Sequence, residues 1–239
     1  PPPPPHFFFN QKTAYEINDV VYGGNNVVAT TMASASIPEV TGDSKTIGYD
    51  PDAARKLLDQ AGWKANGENG TREKNGETLT LSYNLPSETA GQKSVGEIIQ
   101  AQLADIGVEM ELSAVEETVY YERKNNTGEY SLMPDISWGV QYDPHTLYKA
   151  MRDTRDHLAP AFESGAGDLL TEVLNNTDET SRRKQQDEIA DILMNEEFLV
   201  APLTISPNIA AVRDGVEGFE LPKNIWELRQ SLMTVTVED

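Results

Sequence analysis

Apolar positions along this chain recur with two periods, one helical and one extended, and the switches between them mark its elements. Residues 12–21 carry a helical pattern in which Tyr15 and the run Ile17 to Val21 supply an apolar face, and Gly23-Gly24 stops it. Residues 30–47 are rich in Thr, Ser, Ala and Pro and read as a long loop. Asp50-Pro51 then opens a helix, with Asp50 as N-cap and Pro51 at the first helical position. Ala54, Leu57, Leu58 and Ala61 make one buried stripe, Gly62 ends it in a left-handed cap, and Trp63 follows as the apolar cap contact. Residues 66–76 read as a polar, Gly-rich turn.

From 78 to 85 the period becomes two, with Leu79, Leu81, Tyr83 and Leu85 on one face of a strand. A helix follows on the stripe Val95, Ile98, Ile99, Leu103, Ile106, with Gly107 as its stop, and Val108, Met110 and Leu112 alternate again. Strand, helix and strand in this order predict a βαβ unit with a parallel pair and a right-handed crossover. Residues 116–126 read as a further helix broken by Gly128, and 130–137 as a strand interrupted by Pro134, hence at an edge or bulged. Beyond it the pattern predicts a helix over 144–151, a loop over 154–166, helices over 168–174 and 179–195, and strands over 198–205 and 208–212. Residues 214–239 carry only weak patterns, and no internal repeat is visible. The expected class is α/β, a mixed sheet flanked by helices.

In open α/β sheets ligands sit beyond the C-terminal ends of strands. The stretch Trp138-Gly139-Val140-Gln141-Tyr142-Asp143-Pro144-His145 follows such a strand. Asp143-Pro144 repeats the cap-and-proline logic of Asp50-Pro51, so Asp143 is structural first. His145 falls in the first helical turn, where the helix dipole disfavours a positive imidazole. Trp138 fits either a core or a cleft wall. Aromatic faces supply shape, the Tyr142 hydroxyl one hydrogen bond, and free helix N–H groups attract anions. His157 lies in a polar loop a dozen residues on, and its spacing from His145 matches no standard zinc signature.

Composition narrows the classes. With no cysteine there is no disulfide and no thiolate chemistry. A formal net charge of −20 opposes nucleic-acid binding, which needs Lys and Arg against phosphate. No apolar run reaches the ~20 residues that span a bilayer, and no signal peptide is visible, so an export signal would lie outside this chain. Residues 1–9, PPPPPHFFF, read as an appended tag or unreliable segment, and no metal role is attached to His6. No G-x-S-x-G, H-E-x-x-H or Walker loop occurs, and the pairs Glu116-Glu117 and Glu196-Glu197 read as solvated faces, so the chain is not expected to be an enzyme.

Several motifs carry a resemblance. Tyr49-Asp50-Pro51-x-x-Ala54-x-x-Leu57-Leu58-x-x-Ala61-Gly62-Trp63 resembles a signature of the bacterial extracellular solute-binding proteins, family 5, the peptide and nickel receptors of ABC importers. Residues 72–76, 98–103 and 106–108 match its next segments. Trp138-Gly139-x-x-Tyr142-Asp143-Pro144-His145, closing with Met151-Arg152, is similar to the nickel-binding branch. The resemblance implies a type II periplasmic-binding-protein-like lobe over residues 10–213, the second of two lobes, with 214–239 as a tail returning toward the first. It implies no intrinsic cofactor, a cargo of nickel or a nickel chelate, and delivery to an ABC permease. It also implies a periplasmic or cell-surface location, with membrane association only through the permease or through a lipid anchor outside this chain. By the same resemblance His157 is the metal ligand, Tyr142 lines the pocket and Trp138 walls it. The Met151-to-His157 spacing is one residue longer here than the branch pattern. A half receptor is expected to bind cargo weakly and to self-associate through its bare face.

Three other readings predict different behaviour. An oligopeptide receptor of the same family would bind peptides in a wet cavity with His157 incidental. A hydrolase or metalloenzyme built on Asp143, His145 and His157 would show turnover. An interaction domain working through its acidic surface would bind no small molecule.

Overall fold

The computed structural model describes residues 11–32, 49–67, 70–124, 129–135, 148–149, 165–222 and 232–237. Helix α1 (Gln11–Tyr22) leads to the short β1 (Val27–Val28). Its buried face is Thr13, Ala14, Ile17 and Asn18, whereas Tyr15 and Val20 are exposed, so the apolar stripe expected from Tyr15 and the 17–21 run is rotated. Polar contacts set that rotation. Thr13 Oγ1 donates to Gln102 Oε1 at 2.6 Å, Gln102 Nε2 donates to Glu16, and Asn18 brackets the backbone of Asn26 from both sides.

Helix α2 (Pro51–Gln60) begins as its sequence predicts, with Asp50 Oδ1 accepting from the Ala53 N–H at 2.8 Å. It ends one residue before Ala61, which is exposed, and the Trp63 N–H reaches back to the Leu58 carbonyl past a left-handed Gly62. The next segment departs from the expected turn. Strands β2 (Lys64–Ala65), β3 (Arg72–Lys74) and β4 (Glu77–Thr78) form a small antiparallel meander. Asn75-Gly76, both at positive φ, is the two-residue hairpin between β3 and β4, a geometry that this dipeptide favours.

The centre of the molecule is β5 (Thr80–Pro86), α3 (Ala90–Ala104) and β6 (Glu109–Val115). β5 and β6 pair in parallel from Thr80↔Glu109 to Pro86↔Val115, as the βαβ pattern predicts. Leu81, Tyr83 and Leu85 are buried on one face and Asn84 on the other, the two-sided burial expected of parallel strands. α3 lies so close over the Tyr83 face that a Cβ added to Gly96 would stand 2.7 Å from Leu112 and 2.9 Å from Tyr83. Helix α4 (Glu117–Glu122) follows, and Arg123 just beyond it bonds the Asn84 side chain, on the face opposite Tyr83.

After the described break come α5 (Gly167–Asn175) and α6 (Glu179–Asp191), the latter capped by Asp178 and extended by a π turn over Ile192–Glu196. These build a second apolar cluster around Leu170, Val173, Ile189 and Leu193. The strand expected over 198–205 shrinks to β7 (Thr204–Ile205), antiparallel to β1. Phe198 takes a left-handed conformation and turns Leu199 and Val200 onto the helical cluster instead. Residues 208–212 form no strand and leave Ile209 exposed. β8 (Val216–Glu217) and β9 (Thr236–Val237) make a final antiparallel pair. The class is α/β as expected, and among the described residues the parallel and antiparallel pairings lie in separate sheets.

Candidate functional site

The strand expected over 130–137 is reduced among the described residues to one parallel bridge, Tyr83↔Leu132. Its position decides the topology. β5 turns the Leu79 carbonyl toward β6, where it accepts from Glu109 N–H at 3.0 Å. It turns the Ser82 carbonyl and Asn84 N–H to the other side, where both bond Leu132 at 2.9 and 3.1 Å. The 129–135 segment therefore flanks β5 on the edge away from β6. The chain leaves β5 to one side through α3 and returns across to the other through α4. The point between β5 and the 129–135 segment is a topological switch point, and in open α/β sheets ligands bind at such points beyond the C-terminal ends of the strands.

Side chains hold this edge where a ladder does not. Ser131 Oγ accepts from the Ser82 N–H, Ser82 Oγ accepts from the Ser131 N–H, and Asn84 Nδ2 donates to the Glu129 carbonyl. Closer to the strand ends, the end of α4 reaches both flanks. Arg123 donates to Asn84 Oδ1 at 2.6 Å, the Tyr120 hydroxyl donates to the Pro134 carbonyl, and Lys124 Nζ pairs with Asp135 Oδ1 at 2.7 Å. The Lys124 side chain is only 4% exposed against 38% for Asp135, and its ammonium lies 5.9 and 5.7 Å from the Tyr120 and Tyr121 ring centres. Burial raises the Tyr120 phenol well above its ordinary range, and the Asp135 carboxylate adds to the shift, so the hydroxyl remains a donor.

Asp135 lies three residues before the stretch singled out in the sequence, and Tyr148 three residues after it. Tyr148 is buried among Leu170, Ile189 and Leu193, and its phenol is likewise pushed up by burial and then by Asp187. Asp135 thus belongs to the sheet edge and Tyr148 to the helical cluster. Trp138, Tyr142, Asp143, His145 and His157 themselves lie outside the described residues, as do residues 1–9 with His6. Of the helix expected over 144–151, residues 148 and 149 are described and are helical. Glu116, Glu117, Glu196 and Glu197 are exposed, as expected of solvated faces. Among the described residues no group of three or more His, Cys, Asp and Glu side chains stands together as a metal cage, and no helix is long and apolar enough to cross a membrane.

The sequence reading missed Tyr120, Arg123, Lys124 and Asp135. A usable signal existed: Tyr120, Arg123 and Lys124 share one face at i, i+3 and i+4, just before a strand ending in Pro-Asp.

Comparison with known proteins agrees with this architecture. The family model of the bacterial extracellular solute-binding proteins, family 5 (middle), matches residues 14–157. The nickel-binding periplasmic protein of Escherichia coli K12 is 33% identical over 186 residues, 75% of this chain and 35% of that protein. The oligopeptide-binding protein OppA of Mycobacterium tuberculosis H37Rv is 26% identical over 179 residues, 74% of this chain and 29% of its own length. Among solved structures, NikA from Brucella suis in complex with Fe(III)-EDTA superposes with a TM-score of 0.82 at 28% identity, covering 94% of this chain and 45% of that one. AppA from Bacillus subtilis in complex with a nonapeptide shares the fold, with a TM-score of 0.73 at 18% identity over 95% of this chain and 45% of that one. The chain spans from under a third to just under half the length of these relatives. It belongs to the bacterial extracellular solute-binding proteins of family 5.

Proposed function

We propose that this chain is the second lobe, over residues 10–213, of an ABC-importer receptor that captures nickel as a small chelate and hands it to a membrane permease. Residues 214–239 form the tail that returns toward the first lobe. The observation that carries the reading is 33% identity over 186 residues to a nickel-binding periplasmic protein, a stronger match than 26% over 179 residues to an oligopeptide-binding one. In sequence the Trp138–His145 motif comes shortly after the 129–135 segment at the switch point, and this order supports the reading, because an open α/β sheet receives ligand there. In this reading Trp138 walls the pocket, Tyr142 supplies a hydrogen bond from its hydroxyl, and His157 offers an imidazole to the metal. The chelator satisfies the remaining coordination positions, no bond is made or broken, and no resident cofactor is needed. Closure of two lobes on the cargo and docking of the closed form complete the cycle. The receptor works outside the cytoplasmic membrane, in the periplasm or at the cell surface.

The oligopeptide reading keeps a specific support in the OppA relatives and in the nonapeptide complex of AppA. Calorimetry on the full-length protein separates the two. Ni(II) is titrated with and without free L-histidine, followed by a mixed oligopeptide pool. The nickel reading expects tight binding of the chelate alone, weakened at least ~10-fold (about 1.4 kcal/mol) by His157→Ala. Peptide binding indifferent to nickel and to His157 would transfer the protein to the oligopeptide branch.

A further inference from the structure

The tripeptide Asn-x-Ser/Thr, with any residue but proline in the middle, is the acceptor sequence for attaching an oligosaccharide to an asparagine amide. It occurs three times in this chain, at Asn69-Gly70-Thr71, Asn125-Asn126-Thr127 and Asn175-Asn176-Thr177. So short a pattern also arises from composition alone, and a working acceptor needs its amide and its hydroxyl on an accessible turn. Asn69 and Asn125 lie outside the described residues, and the Thr71 hydroxyl is engaged, donating to Glu109 at 3.1 Å. The third tripeptide is described throughout. It makes the turn between α5 and α6, and its three residues have different duties. Asn176 faces the protein: its Nδ2 donates to Ser181 Oγ and Gln185 Oε1, its Oδ1 accepts from the Asp178 N–H, and its carbonyl accepts from Arg182. Asp178 then caps α6 by accepting from the Ser181 N–H at 2.8 Å. The turn is fastened through its middle residue and the residue after it, while Asn175 and Thr177 are both exposed. Asn175 ends α5, and its amide donates to the Thr171 carbonyl at 2.9 Å, a bond that water replaces at little cost at the open end of a helix. The backbone extends directly after it, with Asn176 at φ −82° and ψ 113°.

We propose that Asn175 is a glycosylation acceptor, modified by a membrane-bound oligosaccharyltransferase that reads the Thr177 hydroxyl. The co-substrate is an oligosaccharide linked through pyrophosphate to a lipid. Asn175 Nδ2 attacks the anomeric carbon, the bond from that carbon to the pyrophosphate oxygen breaks, the lipid pyrophosphate leaves, and the amide nitrogen gives one proton to a base of the transferase. Nothing is oxidised or reduced. The glycan stands at the tip of the α5–α6 hairpin and points into solvent, so it displaces none of the side chains packed beneath it, such as Leu170 and Val173. The proposal rests on the location outside the cytoplasmic membrane proposed above, where such transferases act, and not on the identity of the cargo.

The test uses the full-length protein, purified after fractionation of the cells that make it, together with Asn175→Gln, Thr177→Ala and Thr177→Ser made in the same cells. Trypsin releases residues 156–182 as one peptide that carries the whole acceptor sequence. Its intact mass reports attachment, and electron-transfer fragmentation, which leaves glycans in place, assigns it to one asparagine. The expected result is a saccharide mass increment on Asn175 and not on Asn176. The increment is lost in Asn175→Gln and Thr177→Ala and kept in Thr177→Ser, while circular dichroism shows Thr177→Ala melting with the wild type. An unmodified peptide from the exported protein overturns the proposal and leaves the location standing. An unmodified protein confined to the cytoplasm overturns both. An increment that survives Thr177→Ala, or that sits on another residue of the peptide, overturns Asn175 as the acceptor.

Discussion

Two buried cations sit at opposite ends of the same parallel strands. Arg72 lies at the N-terminal end, where its backbone bonds Gly107 and Leu79 just before β6 and β5 begin. Its guanidinium donates to the carbonyls of Ile106 and Trp63 and to the Asp59 carboxylate, at 2.7 to 2.8 Å. Lys124 lies at the C-terminal end with one carboxylate and two aromatic faces. Both are almost fully buried, and both face an aspartate that is partly in water. The difference is in what each would leave behind. The Arg72 side chain satisfies two backbone carbonyls, of Ile106 and Trp63, so it is part of the fold. Lys124 satisfies no backbone group among its described bonds and pairs with the Asp135 side chain instead. The fork-shaped cation bonds backbone at the N-terminal end of the strands, and the point charge bonds a single side chain at their C-terminal end.

The contrast can be broken most decisively by Arg72→Met. Its loss strands the Ile106 and Trp63 carbonyls and should cost about 3 kcal/mol in urea denaturation, discounted because Asp59 can return to water. Ligand affinity of the folded fraction should change less than about twofold. Equal loss of affinity would erase the distinction between the two ends. Gly107→Ala probes the same corner. At φ +80° an added Cβ is strained and would stand 2.5 Å from the Gly70 carbonyl, so a loss of about 2 kcal/mol is expected from the same denaturation curves.

How much of this was legible in sequence follows from the nature of each signal. Asp50-Pro51 and Gly62-Trp63 were readable because capping is a local interaction with a fixed spacing. The β5–α3–β6 unit was readable because both its periods are long and clean. The 66–76 segment was misread because its apolar content is nil, and Asn75-Gly76 carried the only hairpin signal. The tilt of α1 was hidden because Thr13 and Asn18 are buried through partners 89 and eight residues away, which periodicity cannot see. For the candidate site, Trp138, Tyr142 and His157 came from a motif and fall outside the described residues, whereas the contacts of Tyr120, Lys124 and Asp135 came only from structure. Lys124 in an Arg-Lys pair at a helix end looks like a solvated charge until Asp135 is placed beside it.

Smaller effects sharpen the comparison further. Asp50→Ala should cost about 1 kcal/mol by uncapping α2, the helix that carries Asp59, with no change in ligand affinity. Lys124→Met should change stability by less than about 1 kcal/mol by urea denaturation, since an apolar chain replaces a buried charge and Asp135 is partly in water. Asp59 gives the finest test. The hydrogen bond from Arg72 holds its carboxyl below the ordinary value of 3.8. A lowered carboxyl contributes stability that is present above the unfolded value and is lost as pH falls through the folded one. Wild type should therefore exceed Asp59→Asn in stability near neutral pH, and the gap should close as the solution is acidified below about pH 4. A gap that persists at pH 2 would mean that the amide, not the charge, is at fault.

The single bridge at Leu132 has a bearing on how such receptors diversify. A full ladder is written in backbone groups that every sequence possesses, and substitution barely alters it. Among the described residues the 129–135 segment shares three backbone bonds with β5, at Ser131 and Leu132, and is otherwise fastened by Ser82, Ser131, Asn84, Tyr120 and Lys124, each a side chain that one codon can change. Lineages that keep the β5–β6 ladder can therefore shift the edge of the crevice by point substitution, leaving the rest of the sheet as it was. The sheet edge at the switch point is thus fastened largely by the parts easiest to exchange.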